Sequence, residues 1–198
     1  MIWIQWVGCA TRGEAWEPAE GAPFAGRERE EEEEDEEQER RGPTPAGGVA
    51  LSPGVPVVTD PTWLSECGSC HLAYSPGLLP KRSWTALLAG LDDHFGDVAT
   101  LDPATVAKLQ AYADANAADV APYRLSASLA RASAGRTPTR ILDIGGLRHE
   151  HQEFPLSWVV DNPEVKSLSN CAACHRGAAE GNFDEHQVQI PGHARRDD

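Results

Sequence analysis

The pentapeptides Cys67-Gly68-Ser69-Cys70-His71 and Cys171-Ala172-Ala173-Cys174-His175 decide how this 198-residue chain is read. Both are C-x-x-C-H, the attachment signature of a c-type haem. The spacing has a mechanical basis. On a helical turn, positions i, i+3 and i+4 share a face, so two thiols can add to the vinyl groups of one macrocycle while the next imidazole reaches its iron. Cys67, Cys70, Cys171 and Cys174 are therefore the expected thioether anchors of two haem c groups, with His71 and His175 as proximal iron ligands. A zinc ribbon also uses C-x-x-C pairs, but it places them about fifteen to twenty residues apart and has no need of a histidine after each. Here Cys171 lies 101 positions after Cys70. A thioredoxin-like dithiol requires a βαβ setting that the sequence lacks. A disulfide framework leaves the two histidines unexplained.

Met1 is the only methionine. The thioether that fills the sixth position in many cytochromes c is thus missing near either motif, and each iron is expected to be bis-His or to carry an open site. The remaining histidines are His94, His149, His151, His186 and His193. His94 extends an apolar stripe with Leu87 and Leu91, which aims it at a buried cofactor. His149 and His151, in Arg148-His149-Glu150-His151, point the same way if the stretch is extended, so parity does not choose between them. His186 and His193 adjoin the C-terminus and rank last, because chain ends are usually poorly tied down.

Working outward, the periodicity is helical. From Ser83 as N-cap, Trp84, Leu87, Leu88 and Leu91 fall at i, i+3, i+4 and i+7, and the stripe runs on to His94 and Phe95 before Gly96 ends it. Asp102-Pro103 caps a second helix carrying Val106, Leu109 and Ala113. A weaker third helix spans Tyr123 to Ala132, and Val55 to Val58 and Gln187 to Ile190 read as short extended pieces. The expected class is all-α, short helices and long connections wrapped around the two haems, over residues 51 to 198.

Residues 1 to 50 differ in kind. They hold 13 acids against 5 bases, a net of −8 out of the chain's −14. Their centre, REREEEEEDEEQERR from Arg27 to Arg41, has no apolar residue to bury and reads as a solvated tail. Such acidity argues against nucleic-acid partners, whose binding rests on Lys and Arg displacing counterions. No apolar run reaches the eighteen or so residues of a membrane span. The opening MIWIQWVGCA lacks the positive start of a secretory signal, so the expectation is a mis-assigned start codon with the signal upstream; lipid attachment at Cys9 is the minor alternative.

The sequence resembles the dihaem cytochrome c family of proteobacterial periplasms. The resemblance rests on VPVVTDPTWLSECGSCHLAYSPGLLPKRSWTALLAGLDDHFG from Val55 to Gly96 and on NPEVKSLSNCAACHRGAAEGNFDEHQVQIPG from Asn162 to Gly192. With a weaker middle it covers about three quarters of the chain. It implies bis-His ligation at both irons, with His94 as one distal ligand. The family's second distal histidine precedes an acidic residue by two positions, which suits His151 before Gln152-Glu153 and leaves His149 as an alternative. It implies a periplasmic location and electron donation to a small oxygen-binding monohaem cytochrome c, with a membrane cytochrome b as the possible donor. Leu72, where relatives are expected to carry methionine, has no consequence for ligation.

Six-coordinate irons leave no position for a substrate, so the expected role is outer-sphere electron transfer at low potential, not catalysis. The competing class is a dihaem redox enzyme, of the peroxidase or nitric oxide or oxygen reductase type, which needs one open iron. A haem-based sensor would need a signalling domain for which the chain has no room.

Overall fold

The computed structural model describes residues 51–193. The acidic block and Cys9 lie outside the described residues. In chain order the helices are α1 (Pro61–Cys67), α2 (Lys81–Ala89), α3 (Pro103–Asn116), α4 (Arg124–Ala132), α5 (Gly145–Glu150), α6 (Ser157–Val160) and α7 (Cys171–Cys174), linked by single 3-10 turns and irregular chain. Among the described residues there is no strand, only two isolated bridges, Ser52 with Tyr123 and His94 with Asp97. The fold is all-α, and the extended pieces expected at Val55 to Val58 and Gln187 to Ile190 pair with nothing sheet-like.

Side-chain caps set where the first and third helices begin. Asp60 accepts from the Trp63 amide at 2.8 Å, with Pro61 in the first turn of α1. Asp102 accepts from the amides of Ala104 and Thr105, each at 3.0 Å, and Pro103 opens α3 as its sequence anticipates. α4 follows Tyr123, also as expected.

The second helix departs from its pattern at both ends. It begins at Lys81, so Ser83 is buried inside it and does not cap it. It stops at Gly90, and Leu91–Asp93 tighten into a 3-10 turn, so His94 leaves the helix instead of extending its stripe. Apolar spacing alone carries the expected helix too far, because spacing does not register Gly90 and the Asp92-Asp93 pair that favour a turn.

The core gathers Trp63 of α1, Trp84 and Leu88 of α2, Leu109 and Ala113 of α3, Leu129 of α4 and Ile144 before α5. Trp63 and Trp84 meet edge to face, centroids 5.1 Å apart at 76°. Each buried indole N–H is satisfied, Trp63 Nε1 donating to the Tyr74 carbonyl at 3.0 Å and Trp84 Nε1 to that of Pro76 at 2.7 Å. This layer carries the first C-x-x-C-H. The second is joined to it by chain that returns to the start of the described region: the Val55 amide donates to the Gly181 carbonyl at 3.0 Å. Gly181 has a φ of +73°, and a Cβ there would stand 2.2 Å from the Val55 carbonyl oxygen, so the contact needs glycine.

Candidate functional site

The first motif straddles a helix end. Cys67 closes α1, and Gly68 caps it by donating its N–H to the Leu64 carbonyl at 3.1 Å. A Cβ on Gly68 would lie 2.2 Å from that same oxygen, so the first variable position of this C-x-x-C needs glycine. Cys70 and His71 therefore lie beyond the helix, not on one continuous helical turn as the spacing suggests. The His71 ring is exposed, with Nδ1 2.7 Å from the Leu72 carbonyl, which leaves Nε2 for a metal.

Opposite His71 stands His94, ring centroids 6.3 Å apart and planes at 22°. A two-residue reversal presents it: His94 and Asp97 exchange backbone hydrogen bonds at 2.7 and 3.3 Å around Phe95 and Gly96, both at positive φ. Such a turn normally favours Asn-Gly, and a phenylalanine at φ +59° costs roughly 1 kcal/mol. The Arg140 guanidinium covers the Phe95 ring, 4.0 Å from its centroid.

The second motif occupies one helical turn, α7, as the spacing predicts, and His175 caps it with its amide donating to the Cys171 carbonyl at 2.8 Å. Facing His175 is His151, centroids 6.1 Å apart and planes at 46°. Arg148 to His151 is the end of a helix, not an extended run, so the parity argument does not apply. His151 caps α5 and turns its ring inward, with Nδ1 2.7 Å from the Leu147 carbonyl, whereas His149 remains exposed. An apolar cleft around this pair is lined by Phe154, Val159, Val165, Val188 and Ile190 together with Cys171 and Cys174. Phe183 closes on His175 at 5.3 Å. His186 is engaged elsewhere, 3.1 Å from Asp184, and His193 stacks on Trp158 at 4.1 Å.

Electrostatics suit ligation. Burial holds the His94 and His175 imidazoles below their ordinary pKa, and the facing His71 and His151 push in the same direction. Both are thus neutral, the form that binds a metal. The Nδ1 atoms of these two residues are buried without a hydrogen-bond partner. Burial, with Glu66 beside it, pushes the Cys67 thiol up to about 11, and burial also raises Cys171 and Cys174, so before attachment these thiols are uncharged. The four described cysteines are not disulfide-bonded. Among the described residues no group of three or more His, Cys, Asp and Glu converges as a metal cage.

The spacing of each histidine pair offers a direct test of fit. Two metal–imidazole bonds of about 2.0 Å on opposite sides of one ion put the ring centroids roughly 6.3 Å apart. The observed separations are 6.3 and 6.1 Å, each pair beside its own two cysteines. Both pairs therefore leave room for one metal ion between the two imidazoles.

The family model for dihaem cytochrome c matches residues 63–183. The chain belongs to the dihaem cytochrome c family. A solved dihaem cytochrome c from Shewanella baltica OS155 is 38% identical, over 68% of this chain and 95% of its own, with a TM-score of 0.55. The dihaem cytochrome c from Rhodobacter sphaeroides is 43% identical, over 64% of this chain and 98% of its own, with a TM-score of 0.54. No curated protein matches. As a dihaem cytochrome c the chain carries two haem c groups and serves electron transfer. Among the described residues no helix is long and apolar enough to cross a membrane.

Sequence reading did not single out Tyr74, whose ring stacks on His71 at 4.7 Å and 23°. Its place three residues after His71 is the only signal that the sequence offers.

Proposed function

We propose that this dihaem cytochrome c is a low-potential carrier with bis-His ligation at both irons and no catalytic site. Cys67 and Cys70 hold the first haem, with His71 and His94 as axial ligands. Cys171 and Cys174 hold the second, with His175 and His151. The observation that supports this reading best is the pair of imidazole separations, 6.3 and 6.1 Å, each matching two ligands on one ion. The haem supplies a one-electron couple when bound. His71, His94, His175 and His151 would hold the irons, would leave no position to a substrate, and would lower the potential by offering imidazole in place of thioether sulfur. Leu147 and Leu72 carbonyls fix the tautomers of His151 and His71, so that Nε2 of each keeps its lone pair for the iron.

In this reading the carrier works in the periplasm, takes electrons from a membrane cytochrome b, and passes them to a small oxygen-binding monohaem cytochrome c. The net −6 of residues 51 to 198 favours a partner with a basic rim. Low-temperature electron paramagnetic resonance of the oxidised holoprotein tests the coordination. Two low-spin ferric signals and no carbon monoxide binding after reduction are expected. A high-spin, five-coordinate signal from either haem at neutral pH would overturn the bis-His reading and favour the dihaem enzyme.

A further inference from the structure

Tyr74 touches both haem sites. Its ring lies on the first motif histidine, His71, and its hydroxyl donates to the Ser169 carbonyl, two residues before Cys171 of the second motif. Its own backbone is held in place, because its carbonyl accepts from the buried Trp63 indole at 3.0 Å. The side chain is thus half-buried against one motif histidine and hydrogen-bonded beside the other motif, whose Cys171 lies 97 positions further along the chain.

We propose that Tyr74 is a positioning residue shared by the two haem sites, its ring setting the plane of the His71 imidazole and its hydroxyl setting the approach of the segment that carries Cys171. The proposal rests on the bis-His reading insofar as His71 and His175 are ligands. The plane of an axial imidazole governs the d-orbital splitting of low-spin ferric iron, and contacts just outside the ligands tune the potential. Each half of Tyr74 therefore has its own spectroscopic readout. The two sites are distinguishable because their imidazole planes differ, 22° in one pair and 46° in the other.

The test compares Tyr74→Phe with Tyr74→Leu in purified holoprotein with two haems per chain, using ferric g values and a potentiometric titration. A His94→Met variant, which changes the ligand at one iron only, assigns the signals. Tyr74→Phe keeps the stack and removes the donor, so the first haem's g values stay as in the parent while the second haem's g values and midpoint shift. Tyr74→Leu shifts both sets. The proposal is overturned if Tyr74→Phe leaves the second haem unchanged, if it moves both haems equally, or if Tyr74→Leu leaves the first unmoved. Should the leucine variant fail to hold two haems, the phenylalanine variant decides alone. A failure of the bis-His reading looks different, since it shows as high-spin iron in the unsubstituted protein.

Discussion

At the first haem site the motif histidine, His71, is the one whose Nδ1 meets a backbone carbonyl, and the facing His94 keeps its Nδ1 buried and unpartnered. At the second site the parts are exchanged: His151 meets the Leu147 carbonyl and the motif histidine His175 is the unpartnered one. The same five-residue signature is therefore compatible with either arrangement. Which imidazole is anchored depends on the backbone that happens to lie under it, here the chain just past α1 in one case and the last turn of α5 in the other.

The two sites also differ in what supports them. Cys67 and Tyr74 pack against the main cluster of Trp63, Trp84 and Leu109. Around the second pair, Val159, Val165 and Ala178 are buried outside that cluster, on helices of four residues or on single turns. Helices that short have little stability of their own and take it from tertiary contacts. The second site must accordingly depend more on its own macrocycle as a core than the first does.

The largest expected effect breaks this asymmetry open. Replacing Cys171 and Cys174 by serine should remove one haem and expose residues 145 to 193 to protease, while hydrogen-exchange protection of α1 to α4 persists. The matching Cys67 and Cys70 replacements should remove the other haem with less loss of protection, because the tryptophan layer remains. Equal protection in both variants would mean that the two sites are equally self-supporting.

A smaller effect comes from the layer itself. Trp63 is 1% exposed and its indole holds Tyr74, so Trp63→Ala should cost about 3–5 kcal/mol in denaturant unfolding. The perturbation should reach the first haem's spectrum before the second's, and the reverse order would place the shared support elsewhere.

The smallest effect concerns pH. His94 and His175 have folded pKa values below their unfolded value of about 6.5, so the unfolded chain binds more protons on the acid side of that point. Stability is then complete above about pH 6.5 and falls as the pH drops below it. Both imidazoles act in the same direction, so in the haem-free chain His94→Met should reduce the slope of stability against pH in that window. An unchanged slope would show that burial of His94 plays no part in it.

Much of the site was legible before any coordinates. Two C-x-x-C-H signatures name six residues and two haems because the chemistry of attachment requires fixed sequence spacing. The missing methionine narrows the sixth ligand by elimination. The helix caps Asp102-Pro103 were readable for the same local reason. The helical stripe that points to His94 gives way in the structure to a two-residue reversal, and it is this turn, not a helix face, that sets the residue opposite His71. His149 and His151 were inseparable while the stretch was treated as extended, and they part once it is the end of α5, where neighbours two residues apart point in different directions.

The sequence by itself determined the cofactor and its number, since the two signatures obey spacings of three and four residues along the chain. Only the tertiary structure decided that His94 faces His71 and His151 faces His175, and that Tyr74 lies between the two motifs. Those pairings join residues tens of positions apart, and the closing of loops around a shared core, which no local pattern records, brings them within reach.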